Sequence, residues 1–382
     1  MKLSLILIST VTFCLLFQNC NIKKSSTTKL KTIPFDSIKT TTPEEIFDLT
    51  DVTVIPLETS KAFLISDNVR LKISDKNIFI LDLSSKQMFR FNEEGHFLNT
   101  IGSIGEGPKE YLHPVDFIID TIKKSVEILE NIPSAFVKRY NYDGSFISEF
   151  KFDFSAISFI KDKSSNYYFY CGINDYSGDK YRVKYTDSTK IYAELFKNTG
   201  KPGIGYFPYD IDIFSDNRNG IFFKEHFFSS IYLLDKDSVR KIIEFDFGEH
   251  SFYPEDLAKI ESTAKFLSTL TEKGFYGFMS LLSYNDTFLF NLIFQSNNGV
   301  KIYYLLYDSG NNKIVKTSFD EKSSLFWNGR LRGFQNDKFI FTLDAINTKS
   351  VSNQLPSLKS KFQNVNEDDN PVILIFKNKI KT

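Results

Sequence analysis

Residues 70–101 read RLKISDKNIFILDLSSKQMFRFNEEGHFLNTI and contain four short apolar or alternating runs in succession. Polar turns separate the runs, and these turns are rich in Asp, Asn, Ser and Gly. Short alternating runs bounded by such turn residues are typical of strands joined by hairpins. The stretch therefore predicts an antiparallel meander of four strands.

A second unit of the same kind follows directly along the chain. Its turn glycine, Gly144, lies 49 residues after Gly95, and a phenylalanine stands two residues after each glycine. One meander cannot bury both of its faces alone, whereas units that stack around an axis bury all of them. Four-stranded units at a period of about 40–50 residues therefore predict a β-propeller. The apolar runs of this second unit are residues 116–120, 126–129, 136–140 and 146–150.

Four more units can be assigned, so the predicted fold is an all-β, six-bladed β-propeller over residues 49–382. The sixth unit has no fourth strand of its own, and the run VTVIPL at 52–57 precedes the first unit. We expect this N-terminal run to close the last blade, because pairing there removes an open sheet edge. Pro56 suits an outer strand, where one side of the strand needs no N–H donor. The additional units span residues 156–196, 211–247, 279–319 and 330–376.

One segment departs from the strand pattern and predicts a single inserted helix near residues 254–271. Pro254 suits the first helical position, acidic residues follow it in the first turn, and Lys273-Gly274 gives a stop. The helix is interpreted as a cover over one mouth of the ring, with a gate over a pocket as the alternative. Its expected apolar face consists of Leu257, Ile260, Ala264 and Leu267.

The composition supports strands and argues against nucleic acid as a partner. Phe and Tyr number 40 and 19 among 382 residues, and aromatic side chains suit half-buried pleated surfaces. The 47 basic and 47 acidic residues cancel, so the chain has no field that would attract nucleic acid. Hydrophobic residues reach 42%, which is enough for a large packed core.

The first 19 residues predict a secretory signal, because one cation, Lys2, precedes an apolar run that ends at Phe17. This run is shorter than the roughly 20 residues that span a membrane. With Cys20 close behind it, the segment resembles a bacterial lipoprotein signal, in which that cysteine becomes the lipidated first residue. Phe17 and Asn19 depart from the pattern of such signals, and an uncleaved anchor or an ordinary signal peptide is the alternative. Residues 20–48 are polar and aperiodic, and we expect a flexible tether there.

Cysteine usage predicts a protein without disulfide bonds. Once the signal is removed, Cys20 and Cys171 remain, and a lipid on Cys20 would leave Cys171 without an intrachain partner. Cys171 ends the apolar run YYFYC, so a buried structural thiol is expected there. A large core must then carry the stability of this exported chain.

The segment GSIGEGPKEY at 102–111, followed by Pro114 and Asp116-Phe117, resembles the G-x-G-P-x-E-Y linker of a known family. That family consists of six-bladed propeller lipoproteins of Bacteroidetes, which are distant relatives of NHL-repeat propellers. The runs 54–58 and 367–374 are similar to its opening and closing strands. The resemblance implies a propeller over about residues 50–377 that binds ligands or partners at the cell envelope. Residues 102–113 are called the signature loop below.

The residues after Cys20 bear on which membrane face carries the protein. Surface-exposed members of the resembled family tend to have acidic residues at this point, whereas this chain has Asn21-Ile22-Lys23-Lys24. The resemblance therefore implies anchoring to the outer membrane on its periplasmic side, with surface exposure as the alternative. The expected partners are the membrane, through lipid on Cys20, and a glycan, peptide or envelope protein.

Two groups of residues are the candidate ligand-binding positions. Loop residues are favoured, because ligands of propellers usually bind at one mouth of the channel. Aromatic rings can stack on sugars, and Arg offers a fork of hydrogen-bond donors. Packing of the aromatic candidate Trp327 between blades is the alternative to ligand contact. The candidates are Glu110, Tyr111 and His113 in the signature loop, and Trp327, Arg330 and Arg332 before the inner strand of the sixth unit.

Motifs for catalysis, metals and cofactors are weak. The glycine order at 102–107 is G-x-x-G-x-G instead of the dinucleotide order, and no helical pattern follows it. The four histidines lack metal-ligand spacing, so neither a metal nor a cofactor is predicted. Glu110 and His113 are the catalytic candidates, as an acid/base pair.

The leading hypothesis is a lipid-anchored envelope propeller that binds a glycan, peptide or protein partner without catalysis. An anchor, a tether and a propeller without a recognisable catalytic constellation motivate this hypothesis. One alternative is an envelope lyase or hydrolase that acts at the channel mouth. The other is a scaffold within an envelope complex.

Overall fold

The computed structural model describes residues 30–380 apart from several short gaps. The predicted signal segment, Cys20 and the first part of the predicted tether lie outside the described residues. The gaps are residue 62, residues 132–134, 173–178 and 199–211, residues 258 and 260, and residues 321–323.

The chain first runs along the outside of a ring of sheets and then builds six blades in order. The leading elements are β1 (Lys31–Pro34), β2 (Lys39–Thr40), the short helix α1 (Pro43–Ile46) and β3 (Thr53–Pro56). Blade 1 consists of β4 (Val69–Ser74), β5 (Asn77–Asp82), β6 (Gln87–Asn92) and β7 (Phe97–Thr100). Blade 2 consists of β8 (Pro114–Asp120), β9 (Ser125–Glu130), β10 (Phe136–Asn141) and β11 (Phe146–Lys151). Blade 3 consists of β12 (Ser158–Lys161), β13 (Tyr167–Tyr170), β14 (Tyr181–Thr186) and β15 (Ile191–Lys197).

The second half of the ring contains blades 4–6 and, among the described residues, every α-helix that follows α1. Blade 4 consists of β16 (Phe214–Asn217), β17 (Gly220–Phe223), β18 (Ser230–Asp235) and β19 (Ser238–Asp246). Blade 5 consists of β20 (Phe275–Tyr284), β21 (Thr287–Ser296), β22 (Gly299–Asp308) and β23 (Lys313–Phe319). Blade 6 consists of β24 (Arg330–Gln335), β25 (Lys338–Leu343), β26 (Val372–Lys377) and the early strand β3. The helices are α2 (Pro254–Leu257), α3 (Thr263–Lys273), α4 (Ser324–Asn328) and α5 (Thr348–Gln354), and 3-10 turns lie at Phe35–Ser37, Gly248–His250, Ala345–Asn347 and Pro356–Leu358.

The six blades form a β-propeller, as the sequence predicts. The first strand of each blade lies innermost, and from β8 onward each of these strands contacts the inner strand of the next blade. The last inner strand, β24, contacts the first, β4, so the series closes on itself. Lys72 of β4 joins blade 1 to blade 2 by donating from Nζ to the carbonyl of Phe117 at 2.6 Å.

The predicted closure of the last blade by the N-terminal run is confirmed. Strand β3 pairs antiparallel with β26, and Val54 lies opposite Leu374 while Ile55 lies opposite Ile373. Pro56 is on the outermost strand of the blade, where its missing N–H costs no ladder bond. A strand from the N-terminal part and a strand from the C-terminal part of the described chain are therefore held together in one sheet.

The core is divided into six apolar clusters, one between each pair of neighbouring blades. Strand β5 shows how one strand serves two of them. Ile78 and Ile80 belong to the cluster shared with blade 6, and Phe79 and Leu81 belong to the cluster shared with blade 2. Because successive side chains point to opposite faces of a sheet, a strand buried on both faces reads as a continuous apolar run.

Residues 30–48 do not form the flexible tether that the sequence predicts. Strand β1 adds to blade 4 by parallel pairing with β19, and β2 adds to blade 5 by parallel pairing with β23. Phe35 is 2% exposed and Phe47 is fully buried, so the segment is docked along its length. Its apolar residues are isolated among polar ones, and this spacing hides them from a search for periodic patterns. Residues 31–47 are called the strap below.

The predicted single helix at 254–271 is two helices, and its predicted face is wrong. Ser262 lies in an extended conformation and accepts a hydrogen bond at Oγ from the Lys265 N–H at 3.2 Å, so it starts a new helix, α3. The buried side chains of α3 are Phe266 and Leu270, whereas Ala264 and Leu267 are exposed and Ile260 lies outside the described residues. Because α3 starts at Thr263, Phe266 and Leu270 face the protein in place of the predicted residues.

Candidate binding site in the central channel

The inner strands of all six blades surround a cavity of about 670 Å³ on the axis of the ring. This volume lies within the range of sites that bind small molecules. Of the described residues, none from α2 or α3 belongs to its lining. The predicted cover over one mouth of the ring, and the gate over a pocket that is its alternative, stay predictions. The lining consists of residues 69–74, 118–122, 158–162, 212–216, 282–283 and 332–335, together with Asp116 and Ile340.

An inner strand has one edge without a neighbouring strand, and long side chains from the adjacent blade satisfy its carbonyl groups. Arg70 donates from Nε to the carbonyl of Val115 at 2.6 Å. Arg332 donates from Nη1 to the carbonyl of Val69 at 2.8 Å, and Gln335 donates to the carbonyl of Ile73 at 3.2 Å. Buried carbonyls need such partners. Much of the positive charge near the channel is therefore engaged in joining the blades.

Hydroxyl groups and one carboxylate form shorter links between neighbouring blades. Ser158 donates from Oγ to Asp116 Oδ2 at 2.7 Å, which joins blade 3 to blade 2. The hydroxyl groups of Ser215 and Ser283 lie 2.8 Å apart and join blade 4 to blade 5. Blades 2, 3, 4 and 5 thus each contribute a polar side chain to the channel wall.

Lys161 lines the channel, but its charge is held by an ion-pair cluster behind the wall. Its Nζ lies 2.5 Å from Oε1 of Glu127, which is fully buried. Arg139 Nη2 contacts the same oxygen at 2.8 Å, and the hydroxyl of Tyr167 donates to the other oxygen at 2.9 Å. Removing one member of such a buried cluster leaves an uncompensated charge, so the cluster serves the interface between blades 2 and 3.

Asp212 is the lining residue whose carboxylate is least satisfied. It pairs with Ser280 of blade 5 through an isolated parallel bridge, and its Oδ2 is enclosed without a hydrogen-bond partner among the described residues. Burial raises the pKa of this carboxyl above its ordinary value, against the opposing effects of the hydrogen bond to Ser280 and of the Arg70 charge. An enclosed acceptor without a partner is costly to the folded state.

Glu110 holds the signature loop together. Its Oε2 accepts a hydrogen bond from the Gly107 N–H at 2.9 Å, and its Oε1 lies 3.4 Å from Ser103 Oγ. A Cβ atom placed on Gly105 would lie 1.9 Å from Glu110 Oε2, so the loop is wrapped closely around the carboxylate. This carboxylate has a structural role in the described loop.

Tyr111 and His113 also serve the loop and its attachment to blade 1. Tyr111 is fully buried; its hydroxyl donates to the Ile101 carbonyl at 2.9 Å, and burial raises its pKa to about 12. The half-buried His113 ring lies 3.2 Å, Nδ1 to Nζ, from Lys86. Among the described residues, no hydrogen bond joins Glu110 to His113. The structure therefore does not assemble the predicted acid/base pair, and the buried ring of Tyr111 is not available for stacking on a ligand.

The second candidate group is divided between the protein surface and the interior. Arg330 is exposed and forms an ion pair with Asp67, which is also exposed. Arg332 is 7% exposed and lines the cavity, but its donors reach Thr342 and two carbonyl groups, and burial lowers its pKa to about 10. Trp327 is half-buried on α4. These three residues do not form one site.

The remaining candidates for chemistry have structural surroundings. Cys171 is buried, and burial raises the pKa of its thiol. His226 is 3% exposed and donates from Nδ1 to the Phe278 carbonyl at 2.8 Å. Among the described residues, no three His, Cys, Asp or Glu side chains gather closely enough to hold a metal ion.

Of the six candidate ligand-binding residues, Arg332 alone lines the channel, and the sequence did not predict the other lining residues. Asp212, Phe214 and Ser283 lie in or beside inner strands, where they look like ordinary members of an alternating run. The first strand of each predicted unit carries the available signal, because a propeller places those strands around its axis. Polar residues at matching positions of these first strands would have indicated the channel.

Comparisons with known proteins agree with the fold. A family model described as a domain of unknown function (DUF4934) matches residues 30–377. A crystal structure of a Bacteroides fragilis protein described as exported has a TM-score of 0.74 at 19% identity, covering 92% of this chain and 100% of that chain. A member of the DUF4221 family from Bacteroides vulgatus has a TM-score of 0.57 at 12% identity, covering 87% of this chain and 97% of that chain. No curated protein matches the chain.

These likenesses show a shared fold. The helices within the described part of the chain all fall short of the length and apolarity that crossing a membrane requires.

Proposed function

This chain belongs to the DUF4934 family of domains of unknown function, and from that premise we propose that it is a lipid-anchored propeller of the cell envelope that binds a small polar ligand in its central channel. Binding takes place without turnover. The ligand is a glycan or a peptide, and the protein faces the periplasm from the outer membrane.

The channel cavity is the observation that carries this proposal. It has the volume of a small-molecule site, and every blade contributes to its wall. Its lining combines hydroxyl and carboxylate groups with apolar side chains such as Ile118 and Phe214. A few fixed polar groups in a mostly preformed concave surface are the usual features of a site that recognises a ligand.

Binding is favoured over catalysis by the roles of the charged side chains. The predicted pair of Glu110 and His113 is engaged in the signature loop and with Lys86, respectively. Arg70, Arg332 and Lys161 hold neighbouring blades together. Groups that are fixed in this way can shape and polarise a site, but they are poorly placed to transfer protons during a reaction.

Anchoring at the envelope is supported by the N-terminal segment. The run up to Phe17 has the build of a secretory signal and is followed by Cys20. The structurally similar protein from Bacteroides fragilis is described as exported. Only residues 21–30 separate a lipid on Cys20 from the strap. An extended chain of that length reaches about 35 Å.

A thermal-shift screen of residues 21–382 tests the binding proposal. The probes are neutral, anionic and cationic oligosaccharides, short peptides and divalent metals. A ligand at 100 times its Kd should add about 2.7 kcal/mol to the free energy of unfolding, which gives a readable increase in Tm. The channel variant Asp216→Trp should abolish the shift, and the control Asp237→Trp, in the exposed hairpin of the same blade, should keep it.

Three outcomes would count against the proposal. A shift that survives in Asp216→Trp would place the ligand outside the channel. Conversion of the bound probe to a product, detected by mass spectrometry, would show an enzyme instead of a binding protein. No shift with any probe would favour the scaffold alternative.

The lipid anchor is tested separately by Cys20→Ala. The wild-type protein should be found in the membrane fraction and carry a mass increase at Cys20, and the variant should be found in the soluble fraction. A variant that stays in the membrane fraction would show that the lipid on Cys20 is not the anchor.

A further inference from the structure

The turns that follow the first and the third strand of each blade lie on one face of the ring, because successive strands of a meander run in opposite directions. Ion pairs between these turns show their proximity. Within blade 1, Lys76 of the first turn lies 3.1 Å from Glu93 of the third. Between blades, Lys124 of the β8–β9 turn lies 2.9 Å from Asp75 of the β4–β5 turn. This side of the ring is called the turn face below.

The channel cavity extends to the turn face. Its lining includes Thr121 and Ile122, which belong to the turn between β8 and β9. It also includes the exposed Asp216, close to the turn between β16 and β17. A mouth of the channel therefore opens on this face.

The strap enters the fold from the side of the turn face. Strand β1 runs parallel to β19, which starts directly after the turn at 236–237, so the chain arrives at Lys31 from the side of that turn. The Lys31 ammonium donates to Asn312 Oδ1, in the turn between β22 and β23 on the same face. Residues 21–30 link Lys31 to Cys20, and the direct path to a lipid on Cys20 leads past the turn face.

The turn face also carries an apolar side chain that stands out into solvent. Among the described residues, Ile122 is the most exposed large apolar side chain, at 93%. The next, Leu64 and Ile346, are 61% exposed and lie in connections on the opposite face. Ile122 is therefore placed to be the first apolar group that meets a surface approaching the turn face.

Exposed apolar side chains recur around the rim of the same face. In each of blades 1–4 the second residue of the fourth strand is one of them, directly beside a turn of that face. A single exposed apolar residue is ordinary, whereas a repeated position on one face indicates a contact surface. These rim residues are Leu98, Ile147, Tyr192 and Val239.

The charges of the turn face offset one another. Lys76, Lys123 and Lys124 each form an ion pair with a carboxylate of that face, and Arg218 pairs with Asp286. Unpaired clusters of Lys and Arg are the groups that attract an anionic lipid surface. Contact of this face with lipid therefore depends on its apolar side chains.

We infer that the turn face lies against the bilayer with Ile122 in contact with lipid, so that the channel mouth opens toward the membrane. The inference rests on the lipid anchor of the proposed function and adds which side of the ring that anchor presents to the membrane. The short link between Cys20 and the strap keeps this face at a high effective concentration near lipid, so a weak apolar contact is sufficient. The channel then takes its ligand from the space next to the bilayer.

Quenching of tryptophan fluorescence by brominated lipid tests the inference. Chain 20–382 is coupled through Cys20 to a maleimide lipid in phosphatidylcholine vesicles whose acyl chains are brominated or plain. The buried Cys171 does not compete for the coupling. Trp327, half-buried on α4, is present in every protein and supplies the common background.

Two matched variants place the added fluorophore on opposite faces. Ile122→Trp reports the turn face, and Ile346→Trp is the control on the other face. Quenching should be about threefold or more larger for Ile122→Trp, because an apolar side chain in contact with a bilayer enters the boundary between headgroups and acyl chains. The difference should be the same at low and high salt, since the cations of the face are paired.

A third reporter tests Ile122 while leaving it in place. Lys163→Trp, in the exposed β12–β13 turn, should also be quenched, and adding Ile122→Ser should reduce that quenching about twofold or more. Adding Leu64→Ser instead, which removes an exposed apolar side chain from the opposite face, should leave it unchanged. Because both positions are exposed, these variants should retain the Tm of the reporter protein within a few degrees.

The outcomes separate this inference from the proposed function. Stronger quenching of Ile122→Trp than of Ile346→Trp supports the inference. Equal or reversed quenching, quenching of neither variant, or quenching that requires added phosphatidylglycerol and low salt overturns it. Because the lipid is attached chemically, a failed anchor is read from Cys20→Ala in the host and failed ligand binding from the thermal-shift screen, each independently of the orientation.

Discussion

Glu110 illustrates how a residue that looks catalytic in sequence can have a structural role. The signature loop has glycines at 105 and 107 because the Glu110 carboxylate occupies the space where their side chains would lie. The carboxylate in turn satisfies the Gly107 N–H. The glycines and the glutamate therefore form one unit, and that unit explains the spacing of the motif without a ligand.

A prediction at this scale concerns Gly105. Gly105→Ala should destabilise the protein by about 0.5–1.5 kcal/mol, because the new methyl group displaces the Glu110 carboxylate from its hydrogen bond with the Gly107 N–H. Urea unfolding of the single and double variants measures the effect. In the Glu110→Ala background, the same Gly105→Ala change should cost less than half as much. Glu106→Ala, an exposed position in the same loop, is the control and should change stability by about 0.5 kcal/mol or less.

Additive costs in the double variant would contradict this account. They would mean that the carboxylate is not the group that the Gly105 methyl meets.

A second prediction at the residue scale concerns pH. Burial and the Lys224 charge lower the pKa of His226 from 6.5 to about 3. Between these two pH values the imidazole of His226 is protonated in the unfolded chain and neutral in the folded protein. The free energy of unfolding should therefore fall as pH decreases below 6.5, by up to about 1.4 kcal/mol per pH unit from this residue.

Replacing the imidazole tests that assignment. His226→Phe should show a smaller loss of stability between pH 6.5 and pH 4.5 than the wild type does, measured by urea unfolding. The Phe278 carbonyl keeps a donor in this variant, because Lys224 Nζ lies 3.1 Å from it. Leu98→Phe, at an exposed position without a titratable group, should keep the wild-type slope. Equal slopes in all three proteins would show that His226 is not the responsible group.

At the scale of elements, the strap is the part of the fold that is hardest to predict from the sequence. Strands β4–β11 could be predicted almost residue by residue, because both faces of each blade are buried and the turns between the strands carry Gly, Asn and Asp. The strap has isolated apolar residues such as Ile33 and Phe35, whose partners lie more than 200 positions away. Local periodicity contains no information about such pairing. Most residues of the channel lining could not be predicted for a related reason, because closure of the ring brings residues from all six blades together.

The strap should contribute strongly to stability. Phe35 packs against Phe247 and Tyr276 with ring centroids 5.4 and 4.6 Å away, and Lys316 Nζ lies 4.1 Å from the centroid of its ring. Phe35→Ala should therefore cost about 3–5 kcal/mol, as large core truncations do. Leu30→Ala, just outside the strap at a side chain that is 46% exposed, should cost about 0.5 kcal/mol or less. Similar small costs in denaturant unfolding for both variants would mean that the strap is not docked in solution.

At the scale of the whole molecule, stability depends on the closed ring. Six separate clusters lie between blades, and each one needs both neighbours to be complete. Blade 6 has three strands from the C-terminal part of the chain and one from the N-terminal part. A break at β3 would expose the edge of β26 and loosen the contact between the last blade and the first.

A truncated chain that starts at residue 61 tests this dependence. It lacks the strap and β3, and it should lose the single cooperative transition of the wild type in calorimetry and associate through the open edge of β26. A chain that starts at residue 28 is the control and should unfold as the longer protein does. A monomeric truncated protein with an unchanged transition would show that the ring is stable without its closing strand.

The pairing of β3 with β26 also sets an order of events in time. Residues 53–56 leave the ribosome long before their partners at 372–375 do. Strand β3 therefore cannot pair until β26 has been synthesised. A contact between residues this far apart in sequence forms slowly, and β3 stays unpaired in the meantime. Factors that bind exposed strands are thus expected to matter for this protein from the synthesis of β3 until its last blade is complete.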